Sequence, residues 1–330
     1  MFRSKLTPLN IAVAVIGVAL LIVTVQRVGG WSAVVSGIAS VGWWFIPVVI
    51  LGAARMGCRA AAWITCIRHD GGTLRWFEAF EAMLAGDAAG NLTPLGVLAS
   101  EPTKILLTRS RITTVTSIAS VAIENAFYMA SVALVLLAGT WIFLQRADVP
   151  AGLEQISEAI LIVVVIVGLI ALWVARARPA VLSRFAPLVA RLAGRTHAPA
   201  DAVKEIESRI YSVLRWPLVR ILNVAGWEAM FHVLAVAEVW MVLRLLPGGE
   251  SITVADAFLM ESAGRFVTIA FKFVPYRLGI DEAGSGAVST VLGLGAATGV
   301  TLALVRRIRI IVLNGFGLLK LIQAPAATDL

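Results

Sequence analysis

The sequence is poor in the residues that form disulfides and bind metals. Its 330 residues include two cysteines, Cys58 and Cys66, and three widely separated histidines. Two cysteines cannot make a disulfide framework, and the histidines, cysteines and acids do not follow the spacing of a metal site. No nucleotide-binding motif is convincing either. The sequence therefore predicts no metal and no cofactor.

Charge is also scarce. Only 15% of the residues are charged, whereas soluble domains have about 25%. Hydrophobic residues make up 59% of the chain. A chain this apolar could not cover a water-exposed surface, and several apolar runs approach the roughly 20 residues that cross a hydrocarbon core. These features exclude a soluble protein and predict an all-α, polytopic integral membrane protein.

Eight apolar regions can be placed along the chain. Six are predicted to be full spans, near residues 9–26, 34–56, 113–140, 157–176, 217–246 and 299–323. Two more, about 77–108 and 253–297, are interrupted by proline and glycine. No signal-peptide cleavage site of the A-x-A type follows the first span, so we expect it to be retained. Residues 1–330 are predicted to form a single transmembrane domain.

The two interrupted regions share a motif in which a glutamate follows a proline by seven residues, with a glycine between them. The motif residues are Pro94, Gly96 and Glu101 in the first region and Pro275, Gly279 and Glu282 in the second. An acid precedes each motif, at Glu81 and Glu261. The echo predicts two re-entrant helical hairpins of opposite orientation, in an inverted repeat of about 34–140 and 217–323. The alternative is a set of Pro-kinked spans without symmetry.

Basic residues indicate the orientation. Nine Lys/Arg and three Asp/Glu lie between Arg176 and Arg220, and further arginines, Arg55 and Arg59 among them, are placed in a loop after the second span. The positive-inside rule puts these loops and both termini in the cytoplasm, in a cell (inner) membrane. A basic patch can also bind nucleic acid, but in a membrane protein we expect no nucleic-acid partner.

The basic loop, about 177–216, carries amphipathic stretches. Val203, Ile206, Ile210, Val213 and Leu214 share one face of a predicted helix that Asp201 could cap. Such a helix is expected to lie in the headgroup layer, attracted to anionic lipid headgroups. The alternative is a solvated basic loop.

Charged residues also fall inside the apolar regions, where each costs about 2.5–3.5 kcal/mol at the bilayer centre. They are tolerated only beside a partner, protein or water, so we expect them to share a polar chamber between the repeats. The predicted substrate-binding bases are Lys104, Arg265, Lys272, Arg277, Arg306 and Arg309. The predicted gating or charge-pairing acids are Glu101, Glu124, Glu228, Glu261 and Glu282. A short helix starting near Pro102 would offer its N-terminus to an anion such as phosphate.

Several of these segments together resemble the lysyl-phosphatidylglycerol synthase transmembrane family of flippase-like proteins. The resemblance covers nearly the whole chain and rests on "GNLTPLGVLASEPTKILL", "IENAFYMAS", "PYRLGIDEAGSGAVSTVLGLG" and "ALVRRIR". The family's Pro–Gly–Glu turn with a following base matches Pro94 to Lys104, and its final arginine best matches Arg306. Here the first turn is longer than the family's, and Asn125 stands where many members have a base.

The resemblance implies a lipid flippase for an anionic-headgroup lipid, of phospholipid, polyprenyl-phosphate or hopanoid type. Because nothing follows Leu330, we do not expect the aminoacyl transfer of the family's fused members, and we expect no enzyme activity. One alternative is a membrane-embedded enzyme acting on a lipid phosphate with Glu228, His232 or Glu101, although no nucleophile stands beside a base. Another is a carrier of a small organic anion. An acyl-wide lateral gap leading to the charges would favour lipid.

Overall fold

The computed structural model describes residues 22, 26, 30–67, 73–93, 96–145, 151–180, 183–184, 200–271, 274 and 277–323. Most of the predicted span 9–26 lies outside these residues, as do Pro94, Lys272 and Pro275. The described part of the chain is almost wholly helical. The helices are α1 (Gly30–Val41), α2 (Phe45–Ile67), α3 (Trp76–Leu92), α4 (Gly96–Thr108), α5 (Thr114–Leu144), α6 (Ala151–Ala177), α7 (Ala200–Ser212), α8 (Leu218–Leu245), α9 (Val254–Ala270), α10 (Ile280–Val291) and α11 (Ala296–Gln323).

Three helical segments are long and apolar enough to cross a bilayer: Ile38–Ile67, Thr114–Leu144 and Ser157–Ala177. The last of these, in α6, has no buried residue in its most apolar stretch. Its Ile162, Leu169 and Leu172 are each about 60% exposed. A helix whose large apolar side chains face outward is stable only where lipid is the solvent. The protein is therefore a helical membrane protein.

The helices are interrupted at both places where the Pro–Gly–Glu motifs occur. After the first interruption, α4 packs closely along α3. A Cβ added to Gly90 would lie 3.1 Å from the Gly96 carbonyl oxygen, and one added to Gly86 would lie 2.9 Å from Lys104 Cγ. After the second, α10 returns along α9, where Gly284 faces Val267. The helices on either side of each interruption thus pack against each other.

Two glycines let the long helices α5 and α11 approach the helices that precede the interruptions. A Cβ on Gly139 of α5 would meet Ser262 Oγ of α9 at 2.1 Å. A Cβ on Gly317 of α11 would meet the carbonyl oxygen of Leu84 of α3 at 2.3 Å. Each long helix therefore crosses the hairpin of the other half of the chain at a glycine. Helices α2 and α8 pack against each other as well.

The end of the second predicted span was placed too early. The predicted span ends at residue 56, with Arg55 and Arg59 assigned to a cytoplasmic loop, but α2 continues to Ile67. Arg55 is only 4% exposed. Hydropathy falls at these arginines, yet the helix continues because each guanidinium has a buried carboxylate partner. These two residues therefore give no support to the predicted orientation.

The amphipathic helix of the basic loop is present as α7, and part of its apolar face packs against protein. Ile210, with Val213 just after the helix, packs on a buried cluster that includes Ala62, Cys66 and Ile123. Arg209 Nη1 donates to Thr116 Oγ1 of α5 at 3.0 Å. Leu214 of the same predicted face is 47% exposed, and its placement in a headgroup layer stays a prediction.

Candidate functional site

The central network is a buried group of ion pairs made by Arg55, Glu238, Glu261, Arg265, Arg306 and Arg309. The two glutamates stand on α8 and α9 and are fully buried. Glu238 accepts from Arg55 Nη1 at 2.9 Å and also from Arg309 Nη1. Glu261 accepts from Arg265 Nε at 2.7 Å and from Arg306 Nη2 at 2.8 Å. The network thus joins helices α2, α8, α9 and α11 through side chains alone.

Aromatic rings cover this network. The Arg55 and Arg265 guanidinium carbons lie 4.7 and 4.9 Å from the centre of the Phe231 ring. Tyr128 accepts a hydrogen bond through its hydroxyl from Arg265 Nη1 at 3.3 Å, and its ring stacks with that of His232. Cation–π contacts stabilise guanidinium groups that have lost water. The rings therefore help to hold arginine charge in the interior.

The charges of the central network do not balance. It contains four guanidinium groups and two carboxylates, all on described residues. Buried charge is costly unless it is compensated. Such an excess of buried positive charge creates a potential that attracts anions.

A second group of charges lies beside the network, at the start of α10. Arg307 Nη1 is 2.7 Å from Glu282 Oε1, and Arg277 Nε is 3.1 Å from Asp281 Oδ1. The Gly279 backbone N–H donates to Glu282 Oε2 at 2.9 Å. The backbone has positive φ at Arg277 (48°) and at Gly279 (77°), so the reversal ends in a conformation that suits glycine.

We name the small cavity between these groups the arginine pocket. It holds about 50 Å³ and is lined by Arg277, Arg306 and Arg307, together with Asp281, Ser285 and Thr268. Arg306 is the member it shares with the central network. Three guanidinium forks and two hydroxyls around a small space match the geometry of phosphate recognition.

A third group, which we name the first-half cluster, consists of Arg59, Glu101, Lys104 and Glu124 of the first half together with Glu228 of α8. Lys104 Nζ lies 3.0 Å from Glu101 Oε2, and Arg59 Nε and Nη2 bind Glu124 at 2.8 and 2.9 Å. Glu228 is fully buried, and neither of its carboxylate oxygens has a hydrogen-bond partner among the described residues. Arg59 also stacks over the Tyr128 ring at 4.1 Å, which links this cluster to the central network.

An apolar groove runs along the outer side of α8 and α9. It has a volume of about 510 Å³ and is lined by Val233, Val236, Ala237, Trp240, Val254, Ala255 and Phe258, with His232 as the polar member. Val233 and Val254 are each 59% exposed, so the groove opens toward lipid. His232 lies next to Phe231 in sequence. The Phe231 ring makes cation–π contacts with Arg55 and Arg265. The groove thus leads from the lipid face to the edge of the central network.

The sequence-predicted site residues fall into these three linked groups rather than one chamber. Arg265, Arg306, Arg309 and Glu261 share the central network. Arg277 and Glu282 lie at the arginine pocket, and Glu101, Lys104, Glu124 and Glu228 form the first-half cluster. Lys272, Pro94 and Pro275 lie outside the described residues. Gly96 packs on Gly90, and Gly279 is the residue before α10.

The two acids that precede the motifs differ in environment. Glu261 is fully buried, whereas Glu81 is 42% exposed and pairs with Lys320. The motif echo therefore extends to the backbone reversal but not to these side chains. No group of three or more potential metal ligands occurs in the part of the chain that the structure describes.

Sequence reasoning missed three members of the site: Arg55, Arg59 and Glu238. The arginines were predicted to be loop residues, and Glu238, which is fully buried, was not among the predicted site residues. A helical wheel could have identified the two arginines, because Arg55 and Arg59 are four residues apart and so share one face of α2.

The comparisons with known proteins give one match. The model of one protein family, described as the lysylphosphatidylglycerol synthase TM region, matches residues 10–316. Neither a curated protein nor a solved structure matches the chain. The matched range includes the central network, the arginine pocket, the first-half cluster and the groove.

Proposed function

The chain belongs to the lysylphosphatidylglycerol synthase transmembrane family, and we propose that it moves a lipid with an anionic headgroup between the leaflets of a membrane. The observation that carries this proposal is the excess of buried guanidinium groups in the central network. An anionic headgroup supplies the missing negative charge, whereas a zwitterionic headgroup does not.

The arginine pocket is the proposed site of the headgroup phosphate. Arg277 and Arg306 are 12% and 19% exposed, so their guanidinium groups can be reached while most of the network cannot. A phosphate there exchanges the Arg277–Asp281 and Arg306–Glu261 pairs for bidentate Arg–phosphate bonds. The acids hold the arginines in place when the site is empty. Lys104 supplies a second contact as the headgroup passes the first half.

The groove between α8 and α9 is the proposed path of the lipid chains. From Trp240 to His232 it follows eight residues of α8, about 12 Å by helical rise. It is open to lipid on its outer side, so acyl or prenyl chains can remain in hydrocarbon while the polar group enters the protein. A carrier of a small soluble anion needs no such groove, and this favours the lipid reading.

The architecture proposed for moving a lipid between leaflets is an inverted repeat. Helices α2 to α5 and α8 to α11 follow the same order: a long helix, a 17-residue helix, a reversal, a helix of 12 or 13 residues, then a long helix. In this proposal both hairpins are re-entrant and enter from opposite faces of a cell membrane, with both termini cytoplasmic. A lipid site between them is then reached from either leaflet by rocking one half against the other.

Reconstituted protein tests the proposal. Vesicles would carry a trace of fluorescent phosphatidylglycerol or phosphatidylcholine, and dithionite would report the label that reaches the outer leaflet. We expect faster exchange of phosphatidylglycerol only, and at least a tenfold loss for Arg306→Gln. Arg111→Gln is the control, because Arg111 is 55% exposed and pairs with Glu78 away from the site.

Other outcomes are equally informative. If neither phosphatidylglycerol, a polyprenyl phosphate nor a hopanoid moves, with or without a proton gradient, the flippase proposal is wrong. Uptake of soluble phosphate in place of lipid would identify an anion carrier, and a chemically altered lipid would identify an enzyme.

A further inference from the structure

Glu228 is the one residue of the first-half cluster without a described partner. It lies eleven positions into α8, is fully buried, and neither carboxylate oxygen receives a hydrogen bond from a described residue. We propose that Glu228 is a proton-binding site, and that its proton is exchanged for the ammonium group of Lys104. This deepens the proposed function by naming a coupling ion and the residue that binds it.

The groups that face Glu228 come from three helices besides its own. Arg59 and Glu124 act on it electrostatically from α2 and α5, and Lys104 does so from α4. The thiols of Cys58 and Cys66, both on α2, are also within electrostatic range. On α8 itself, His232 follows one turn later, and its Nε2 is bonded to Ser131.

Within the cluster, carboxyl groups outnumber cations by one. Three carboxyl groups, those of Glu101, Glu124 and Glu228, face two cations, Arg59 and Lys104. Arg59 holds Glu124 through two hydrogen bonds, and Lys104 holds Glu101. A carboxylate at Glu228 would be buried without a described hydrogen-bond partner, which disfavours its charged form. The neutral acid at Glu228 avoids that burial of charge.

Lys104 is placed to respond when the proton leaves. Its side chain is 3% exposed and lies over Gly86, whose missing Cβ leaves room for the lysine chain. Its partner Glu101 is 23% exposed and can be hydrated if the lysine departs. When Glu228 releases its proton to water, the new buried carboxylate binds the ammonium group, and Glu101 turns to solvent. Reprotonation returns Lys104 to Glu101.

The exchange links protonation to the position of a helix. Lys104 belongs to α4, the returning arm of the first hairpin, whereas Glu228 belongs to α8. Loss of the proton therefore draws α4 toward α8, and uptake releases it. In a flippase this provides a means by which a proton gradient drives one half of the chain relative to the other.

The proton can be observed without any lipid substrate. In infrared difference spectra of the reconstituted protein between acid and alkaline pH, we expect the carbonyl stretch of a protonated carboxyl that disappears at high pH. Glu228→Gln should remove the band, and Glu81→Gln, an exposed ion-paired control, should retain it. An unchanged band in Glu228→Gln would overturn the proposal.

Stability gives a second, independent readout. Glutamine imitates a neutral glutamic acid, so Glu228→Gln should leave the Tm at neutral pH within about a degree of the parent's. Glu124→Gln leaves the Arg59 charge unpaired and should lower the Tm by several degrees. If Glu228→Gln lowers the Tm as much as Glu124→Gln does, Glu228 is charged at rest and the proposal is wrong.

A transport assay separates this inference from the function on which its coupling role depends. In vesicles that move labelled lipid, a pH gradient should change the rate for the parent protein and leave Glu228→Gln unaffected. If the infrared band belongs to Glu228 but no lipid moves, the proton site stands and the flippase proposal fails. If lipid moves and no band depends on Glu228, only the proton site fails.

Discussion

Arg55 and Glu238 are 183 residues apart in sequence, and their side chains meet with 2.9 Å between Nη1 and Oε2 in the interior of the protein. The pair joins α2 to α8. Arg309 reaches the same carboxylate from α11. One acid thus anchors two bases from opposite ends of the chain.

Removing the Glu238 carboxylate should lower the stability of the protein. In Glu238→Gln, two buried guanidinium groups lose their carboxylate, and we expect a loss of about 3–5 kcal/mol of stability. Thermal unfolding in detergent, followed by tryptophan fluorescence, measures it. Glu81→Gln breaks an exposed pair with Lys320 and should change stability by about 0–1 kcal/mol. Equal shifts in the two variants would contradict a buried network.

The crossing of α11 over α3 should not tolerate a methyl group. In Gly317→Ala the new Cβ would lie 2.3 Å from a backbone oxygen, which cannot rotate away. We expect a loss of about 1–3 kcal/mol and a lower Tm. Gly168→Ala on α6 meets nothing within 4 Å and should be neutral or slightly stabilising. A neutral Gly317→Ala would mean that the two helices lie farther apart.

Filling the groove should slow transport without unfolding the protein. Ala237→Trp places a large ring among Val233, Val236 and Phe258, so lipid chains lose their path while the headgroup site is untouched. We expect a several-fold lower rate in the vesicle assay and an unchanged Tm. Leu172→Trp, on the exposed face of α6, is the matched control. If both variants transport at the parent rate, the chains take another route.

The two hairpins should be accessible from opposite sides of the membrane. In a background without Cys58 and Cys66, single cysteines at Arg75 and Ser110 mark the two ends of the first hairpin. Cysteines at Glu250 and Thr290 mark those of the second. An impermeant maleimide should label the first two from one side and the last two from the other. Labelling of Arg75 and Ser110 from opposite sides would make α3 and α4 a full crossing.

The sequence predicted the class of protein correctly, and it predicted breaks where α3 and α9 end, because both depend on local properties. Apolar length indicates helices in lipid, and a Pro–Gly pair interrupts them. The partners of the charges could not be predicted in the same way. Arg55 has a partner 183 residues away, and no pattern in its own segment identifies that partner.

The misplaced end of the second span has a similar origin. A hydropathy scan ends a span where charged residues begin, here at residue 56 beside Arg55, because it contains no information about a carboxylate on another helix. An amphipathic pattern such as that of Ile206, Ile210 and Val213 requires a buried face but is equally satisfied by lipid and by protein. In both cases the tertiary structure decides what lies opposite a side chain.

The three arginines of α11 extend to three different helices. Arg306 reaches Glu261 of α9, Arg307 reaches Glu282 of α10, and Arg309 reaches Glu238 of α8. A slide or rotation of α11 alone would strain all three contacts together. Helices α8 to α11 are therefore expected to travel as one rigid block whenever they move, and the Arg55–Glu238 pair would carry α2 with them.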